Sequence, residues 1–304
     1  MIPAFPKFKK IDESDREAVE SHTLRLPPYS DFNFYSLWSW DTNDRRMISE
    51  LHGNLVVQFT DYATQVPFFS YLGTVQSKET ASALIQFAEA SGISPVLRLV
   101  PKDSAMDLEP AFLVEEDVGN FDYIYLIPEL ATLKGSKFKS PRQLANKFAR
   151  QHPQARFEVL ELNGSSVLST VIALLQNWKS NKKSKNKEYE IPNEEIAIQR
   201  ILKAADHTNL FFASVFLENS LVGFSINEVL PNLYGIVHFE KADITYTGIY
   251  DFLIQKTACH LAKKDVLLWN WEQDLNIENL RKSKMSYKPV GFFKKYRISR
   301  AVNK

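Results

Sequence analysis

The sequence predicts an α/β (α+β) fold in which mixed sheets carry helices on both faces. Short period-2 runs alternate along the chain with longer runs of helical spacing, which is typical of sheets covered by helices. The clearest unit is a strand over 233–241, a helix over 248–263 and a strand over 266–271. A crossover of this length predicts that its two strands are parallel neighbours.

Composition restricts the class of protein. The chain has 304 residues, 44% of them apolar, which is enough for two domains with sizeable cores. Its formal net charge of +1 gives no global field that would attract nucleic acid, so an anion site has to come from local clustering. The single cysteine, Cys259, excludes a disulfide framework and a thiolate zinc cluster, and no histidine pair has the spacing of a metal site. With neither a signal-peptide pattern nor a transmembrane segment, we expect a cytoplasmic protein.

The first half is predicted to begin with a helix that Pro27-Pro28 ends. Its elements are a helix over 12–25, strands over 46–51, 54–60 and 66–72, a helix over 78–90, a strand over 95–100, a helical turn from Asp103, and strands over 111–116 and 121–127. The hairpin signal His52-Gly53-Asn54 joins the first two strands.

The second half starts after a basic joint over 128–152. Its elements are a strand over 156–162, helices over 165–178 and 192–205, strands over 210–218, 221–230 and 233–241, a helix over 248–263, a strand over 266–271, a helix over 275–284 and a strand over 292–298. This is the element order of the GNAT (N-acetyltransferase) fold, and the first half repeats it in degenerate form. We therefore predict two tandem GNAT-like domains, 1–150 and 151–304, with the site in the second.

The joint has a cluster of positive charge. Its cationic residues are Lys134, Lys137, Lys139, Arg142, Lys147 and Arg150. Two interpretations stay open at this point, a contact for a phosphate-rich ligand and a solvated helix face.

Polar side chains at the ends of the two parallel strands predict the site. Period-2 alternation places His238 with Glu240 on one strand, and Asn270, Glu272 and Asp274 together on the other. Because ligands bind at the carboxyl ends of such strands, we expect Glu240, Asn270 and Glu272 to line one crevice. Two carboxylates there would repel each other, which predicts a raised pKa or a cationic partner such as Lys241 or Arg281.

Glu272 and Glu240 are the candidate general bases, and Asp274 is a third that can equally cap a helix beginning at Leu275. His238 is either an acid or base or a structural histidine.

Other residues are predicted to bind substrate. Arg281 and Lys284 lie three residues apart on one helix face, where they can hold a phosphate or headgroup. Tyr287 is either an oxyanion donor or a packing tyrosine. Trp38, in the aromatic segment 32–40, is a candidate pocket wall, with core packing as the alternative.

The loop before the central helix argues against acyl-CoA. In GNAT enzymes that use acyl-CoA, a glycine-rich loop at this helix N-terminus binds the pyrophosphate. Here the loop over 242–248 has one glycine and an acid, Asp243, which would repel a pyrophosphate. Asp243 suits a ligand ammonium, or is an ordinary N-terminal acid. We expect no cofactor.

Several motifs resemble one known family. They are Leu37-Trp38-x-Trp40, His238-x-Glu240-Lys241-Ala242-Asp243, Asn270-x-Glu272-Gln273-Asp274-Leu275 and Leu280-Arg281-x-x-Lys284-x-Ser286-Tyr287-x-Pro289. This pattern is similar to the family of the C-terminal domain of phosphatidylglycerol lysyltransferases. The resemblance implies a tandem GNAT fold related to the Fem-type transferases, an aminoacyl-tRNA donor, and a lipid-headgroup or peptide acceptor.

The leading hypothesis is thus a transferase that moves an aminoacyl group onto an amine or hydroxyl. An acyl-CoA-dependent N-acyltransferase and a non-catalytic binding protein of the same fold are the alternatives.

Overall fold

The computed structural model describes residues 1–61, 64–162, 171–175, 193–204 and 208–301. The strands are β1 (Lys9–Lys10), β2 (Met47–Leu51), β3 (Asn54–Thr60), β4 (Pro67–Leu72), β5 (Leu97–Pro101), β6 (Phe112–Glu116), β7 (Asp122–Leu126), β8 (Arg156–Leu160), β9 (Leu210–Leu217), β10 (Ser220–Val229), β11 (Tyr234–Ala242), β12 (Leu268–Asn270), β13 (Gly291–Phe293) and β14 (Lys295–Arg300). The helices are α1 (Arg16–Thr23), α2 (Phe34–Ser39), α3 (Ser77–Ala90), α4 (Lys102–Ala105), α5 (Ile127–Thr132), α6 (Lys139–Gln151), α7 (Glu194–Leu202), α8 (Ile249–Ala262) and α9 (Glu278–Ser286).

In this part of the chain the strands form three sheets. A four-stranded sheet has the order β1-β2-β3-β4, a three-stranded sheet β5-β14-β6, and a seven-stranded sheet β13-β7-β12-β11-β10-β9-β8. Strands β8 to β11 are antiparallel neighbours, whereas β11 and β12 are parallel, with Gly235 opposite Trp269. The predicted parallel crossover is therefore confirmed, and the fold is mixed α/β.

Strand pairing crosses the predicted domain boundary twice. Strand β7, from the first half, lies between β12 and β13 of the second. Strand β14, at the end of the chain, lies between β5 and β6. The two predicted domains are thus joined by hydrogen-bonded sheets, and the tandem organisation stays a prediction.

Helices cover both faces of the seven-stranded sheet. On one face, α5, α6 and α8 enclose a core that includes Phe148, Leu253 and Trp269. On the other, α2 and α7 pack in a core with Phe224 and Phe239. Burial of this apolar area fixes which side of β10 and β11 each side chain faces.

The segment after β12 differs most from the predicted one. The strand predicted over 266–271 is limited to Leu268–Asn270, and the helix predicted over 275–284 begins at Glu278. Between them, Glu272, Leu275 and Asn276 have φ values of 56°, 53° and 60°. Because these left-handed conformations fit neither a strand nor a helix, alternation does not continue to Asp274. The helix predicted over 165–178 is described only at 171–175, which is helical.

Candidate functional site

A cavity of about 710 Å³ lies at the carboxyl ends of β11 and β12, between α2, α8 and α9. Its ionisable lining is mostly acidic. The lining carboxylates belong to Asp31, Glu194, Glu240, Asp251 and Glu272, and the lining cations to Arg46, Lys241 and Lys284, with His238 beside them. The volume is in the range that small-molecule sites occupy.

Local pairing makes part of the cavity more acidic still. Lys241 forms an ion pair with Glu194 at 2.7 Å, and Asp31 pairs with Lys295 behind the wall. The charge of the Lys284 ammonium acts on both Glu240 and Glu272, while Lys241 also acts on Glu240 and His238 on Glu272. A bound ligand that carries positive charge would favour the ionised form of these carboxyl groups.

Glu272 is held at the meeting point of three elements. Its backbone N–H donates to Asn270 Oδ1 at 2.7 Å, which stabilises its left-handed conformation. The Ser36 hydroxyl donates to Glu272 Oε1 at 3.2 Å, and His238 Nδ1 lies 3.8 Å from the same oxygen. Burial raises the pKa of Glu272 to about 7, although the neighbouring His238 and Lys284 act in the opposite direction. A carboxyl group with this pKa suits a general base near neutral pH.

Glu240 and Lys284 have displaced pKa values for the same reason. Burial, followed by the charge of Asp251, raises the pKa of Glu240 to about 8. Burial lowers the pKa of Lys284 to about 8, against the attraction of the surrounding carboxylates. The Lys284 ammonium donates to the carbonyl oxygens of Trp271 and Gln273, the latter at 2.6 Å. It therefore holds the segment after β12 in place as well as facing the acids.

His238 occupies an irregular position in β11. Ile226 pairs with Phe239 and Asn227 pairs with Val237, so His238 is the extra residue of a β-bulge. Bulges re-aim side chains and are common beside active sites. Here the ring bridges two elements, with Nδ1 3.2 Å from Ser36 Oγ and Nε2 3.3 Å from Glu228 Oε2.

Tyr287 lines the cavity and donates its hydroxyl to Asp251 Oδ1 at 2.6 Å. Burial raises its pKa well above the ordinary value, so it stays a hydrogen-bond donor at any physiological pH.

Asn270 lies behind the wall rather than in it. Its amide nitrogen donates to the carbonyl oxygen of Pro28 at 2.9 Å and to Asp122 Oδ2 at 3.1 Å, and its oxygen accepts from Glu272 N–H. Through the last of these bonds, Asn270 positions Glu272.

Asp274 and Arg281 pair with each other outside the cavity lining. Their two contacts are 2.7 and 3.0 Å, and Asp274 also accepts from the Tyr123 hydroxyl at 2.6 Å. Asp274 accepts from Asn276 N–H, and the residue before helix α9 is Ile277, so Asp274 is not the cap of that helix. These bonds lower the pKa of Asp274 although burial opposes them.

Two further predicted residues also lie outside the lining. Asp243 forms a local turn, accepting from the backbone N–H and the hydroxyl of Thr245 at 3.0 and 2.8 Å. Trp38 stacks on Phe34 and lies under the guanidinium of Arg200. From the same aromatic segment, Trp40 and Ser36 reach the cavity instead.

Sequence reasoning missed Ser36, Asp251 and Glu228. Glu228 had a usable signal: it shares a period-2 face with Phe224 and Ile226, and a carboxylate on an apolar face is unusual. Ser36 lies in a helix of aromatic residues and had no such signal.

Among the described residues, no helix combines the length and hydropathy needed to cross a bilayer.

Comparison with known proteins shows that solved structures share this fold. Over 99% of this chain and 100% of the other, it is 27% identical to a conserved protein of unknown function from Bacteroides thetaiotaomicron, with a TM-score of 0.84. The C-terminal domain of a putative lysylphosphatidylglycerol synthetase from Agrobacterium fabrum is 13% identical, with 94% and 92% coverage and a TM-score of 0.66. The L-PGS structure from Bacillus licheniformis is 15% identical, with 99% and 94% coverage and a TM-score of 0.66. A comparison with curated proteins gave no significant match.

The family model described as phosphatidylglycerol lysyltransferase, C-terminal, matches residues 25–299, which is most of the chain. The structural relatives from Agrobacterium fabrum and Bacillus licheniformis have the same fold. The protein therefore belongs to the family of the phosphatidylglycerol lysyltransferase C-terminal domain.

Proposed function

We propose that the protein transfers an aminoacyl group from an aminoacyl-tRNA ester to an amine or hydroxyl acceptor, such as a peptide amine or a lipid headgroup. Family membership supports a transferase. The observation that carries the proposal is the cavity lined by the carboxyl groups of Glu240, Asp251 and Glu272, in which Lys284 acts on Glu240 and Glu272. An aminoacyl group has an α-ammonium, and an amine acceptor is also cationic before reaction, so both suit these carboxyl groups.

Glu272 is the general base of this mechanism. An ammonium acceptor first releases one proton to solvent and becomes a neutral amine. Attack on the donor's ester carbonyl then requires removal of one further proton from the acceptor nitrogen, or of the single proton of a hydroxyl, and Glu272 accepts it because its pKa lies at about 7. The new bond forms at the carbonyl carbon, the donor's C–O bond breaks, and the proton passes to the departing tRNA oxygen. Tyr287 supplies a neutral hydroxyl on the cavity wall, and Asn270 holds the base in position.

The surroundings of helix α8 support an ester donor over acyl-CoA. Gly248, at the N-terminus of α8, lies so close to helix α6 that a methyl group there would collide with the carbonyl oxygen of Leu144. Phe148 of α6 also packs on Phe252 of α8, with ring centroids 5.0 Å apart. Helix α6 thus occupies space beside the helix end where acyl-CoA enzymes of the GNAT fold bind the pyrophosphate.

The basic cluster in and just before helix α6 supports the proposal of a polyanionic donor. Of the basic cluster, Arg142 is used structurally, donating to the carbonyl oxygens of Leu133 and Gly135, and Lys137 pairs with Glu129. The remaining cations at positions 134, 139, 147 and 150 are exposed. Exposed cations along one segment supply the phosphate contacts that tRNA binding requires.

The experiment is a transfer assay with tRNA pools charged with radiolabelled amino acids, offered peptide amines or phosphatidylglycerol vesicles as acceptors. We expect transfer with aminoacyl-tRNA, and a loss of about 10²–10⁴-fold in Glu272→Gln. The matched control is Glu278→Gln, which changes an exposed carboxylate on α9 and leaves the rate unchanged.

Transfer from acetyl-CoA but not from aminoacyl-tRNA would replace the proposal with an N-acyltransferase. Binding of a charged amino acid amide without any transfer, and without an effect of Glu272→Gln, would indicate a non-catalytic binding protein.

A further inference from the structure

We propose that Ser36 is a nucleophile of this cavity, which carries the transferred group as a serine ester, with His238 as its base and Glu228 orienting the histidine. This inference deepens the proposed function and rests on the same cavity. It adds a covalent intermediate that the family relationship does not assign.

The three side chains form a continuous hydrogen-bonded series. Ser36 Oγ lies 3.2 Å from His238 Nδ1, and His238 Nε2 lies 3.3 Å from Glu228 Oε2. The Ser36 and His238 side chains line the cavity, and Glu228 is fully buried behind them. A nucleophile in contact with a base, which a third group orients, is the arrangement by which serine enzymes activate a hydroxyl.

Glu228 selects the tautomer that such a base requires. Its Oε2 faces His238 Nε2, and since a carboxylate only accepts, Nε2 carries the proton. The lone pair of Nδ1 is then directed at the Ser36 hydroxyl. Asn33 donates to the same Oε2 at 2.5 Å, which fixes the carboxylate.

The burial of Glu228 is difficult to explain by stability alone. The side chains of Glu228 and His238 are each 1% exposed, and His238 is the ion-pairing partner of Glu228 within the described residues. Glu228 Oε1 is buried with no hydrogen-bond partner in that same part of the chain. A buried carboxylate without Lys or Arg is costly to the fold, whereas it stabilises the imidazolium that forms when His238 takes a proton.

Glu272 completes the site as a second acceptor. Glu272 Oε1 lies 3.2 Å from Ser36 Oγ and 3.8 Å from His238 Nδ1, so the single hydroxyl proton can be donated to either group, one at a time. The positions of His238 and Glu272 suit them to different steps. His238 serves the attack of Ser36, and Glu272 serves the attack of the acceptor.

The reaction has two steps, the formation and the breakdown of the serine ester, and each conserves its protons. In the first, Ser36 Oγ bonds to the ester carbonyl carbon, its proton moves to His238 Nδ1, the donor's C–O bond breaks, and the proton passes to the departing alcohol. In the second, the acceptor nitrogen or oxygen bonds to that carbon and gives its proton to Glu272. The Ser36 C–O bond then breaks, and Glu272 returns the proton to Ser36 Oγ along their hydrogen bond.

The test is covalent labelling with an alkyl fluorophosphonate, which modifies activated serines and requires neither the donor nor the acceptor. We expect a single adduct on Ser36 by peptide mass spectrometry, absent from heat-denatured protein and from Ser36→Ala. The matched control is Ser39→Ala, on the same helix and buried outside the cavity, which keeps the adduct. His238→Gln lowers the labelling rate at least 100-fold and Glu228→Gln at least tenfold.

An absence of adduct on Ser36 in the native protein overturns the proposal. So does labelling of folded His238→Gln at the wild-type rate; if that variant does not fold, Glu228→Gln decides in the same way. Labelling without aminoacyl transfer keeps the nucleophile and removes the aminoacyl donor. Transfer that persists in Ser36→Ala keeps the proposed function and removes the covalent step.

Discussion

Two buried clusters of charge lie on either side of Asn270, and they differ in how far their carboxylates are neutralised. In the lysine cluster, formed by Asp31, Asp122 and Lys295, the Lys295 ammonium contacts both carboxylates, with Asp122 Oδ1 at 2.6 Å. In the glutamate cluster, formed by Glu228, His238 and Glu272, two carboxylates share one histidine. Asn270 donates to Asp122 of the first and accepts from the N–H of Glu272 in the second.

The pKa values follow this difference. Burial disfavours the charge of Lys295, but Asp122 and Asp31 outweigh it and raise the pKa of the ammonium. In the glutamate cluster, burial of Glu272 outweighs the nearby charges and raises its pKa to about 7. The Lys295 ammonium thus keeps its charge, although burial also raises the pKa of its partner Asp31. Glu272 therefore exchanges a proton near neutral pH, which general-base chemistry requires.

Removal of the cation from the lysine cluster is expected to have the largest effect. Lys295→Met leaves two buried carboxylates without their partner, so we expect a loss of about 3–5 kcal/mol in the free energy of unfolding. Urea denaturation monitored by circular dichroism measures it. The matched control is Lys294→Met, whose partner Glu116 is exposed, and we expect it to lower stability far less. Equal effects of the two substitutions would show that the lysine cluster has no special structural role.

Substitution of Asp274 tests whether the Asp274–Arg281 ion pair, which lies outside the cavity lining, stabilises the fold. Asp274→Ala removes bonds to Arg281, Tyr123 and Asn276, and we expect a loss of about 1.5–3 kcal/mol by the same denaturation measurement. Lys282→Ala, which breaks an exposed pair with Glu278, is the control and changes stability by at most about 0.5 kcal/mol.

Arg281→Ala separates a structural role from an anion-binding role. Because the guanidinium is already bound to Asp274, we expect the affinity for aminoacyl-tRNA to stay within about twofold of wild type. A tenfold weaker affinity in a filter-binding assay would return Arg281 to the site.

Substitution of Glu240 is expected to have a smaller effect on stability, and this effect depends on pH. Its pKa is about 8 in the folded protein against an ordinary value of 4.5, so the folded state binds more protons between these values. Ionisation of Glu240 therefore costs stability as pH rises through this window, and the cost is complete above pH 8. We expect Glu240→Gln to stabilise the protein by about 1–2 kcal/mol at pH 8.5 and not at pH 4. A gain at pH 4, or none at pH 8.5, would contradict the assignment.

Local sequence signals were sufficient for much of the fold. Period-2 runs, helical spacing and short turns predicted strands β9 to β11 and helix α8 to within a few residues, because these patterns report burial against one sheet. The end of β12 was mispredicted because Glu272, Leu275 and Asn276 have left-handed backbone conformations. The alternation of apolar and polar residues continues in the sequence, but the strand does not.

The sequence predicted cavity-lining residues only within and just after one strand–helix–strand crossover. His238, Glu240, Glu272 and Lys284 lie near one another in sequence and all line the cavity. The contacts that distinguish the two clusters join residues far apart in the chain. Ser36 and His238 are separated by 202 residues, and Asp122 and Lys295 by 173. Nothing local encodes such pairs, since they depend on how the sheets and helices pack.

The most direct measurement is the ionisation of Glu272 itself. Glutamate labelled with ¹³C at the side-chain carboxyl carbon can be titrated by NMR from pH 3 to pH 10, with Glu272→Gln assigning the resonance. An under-neutralised cluster predicts a midpoint near pH 7, well above the ordinary 4.5. A midpoint at or below pH 4.5 would show that the charges around Glu272 outweigh its burial, and would contradict its proposed role as the base.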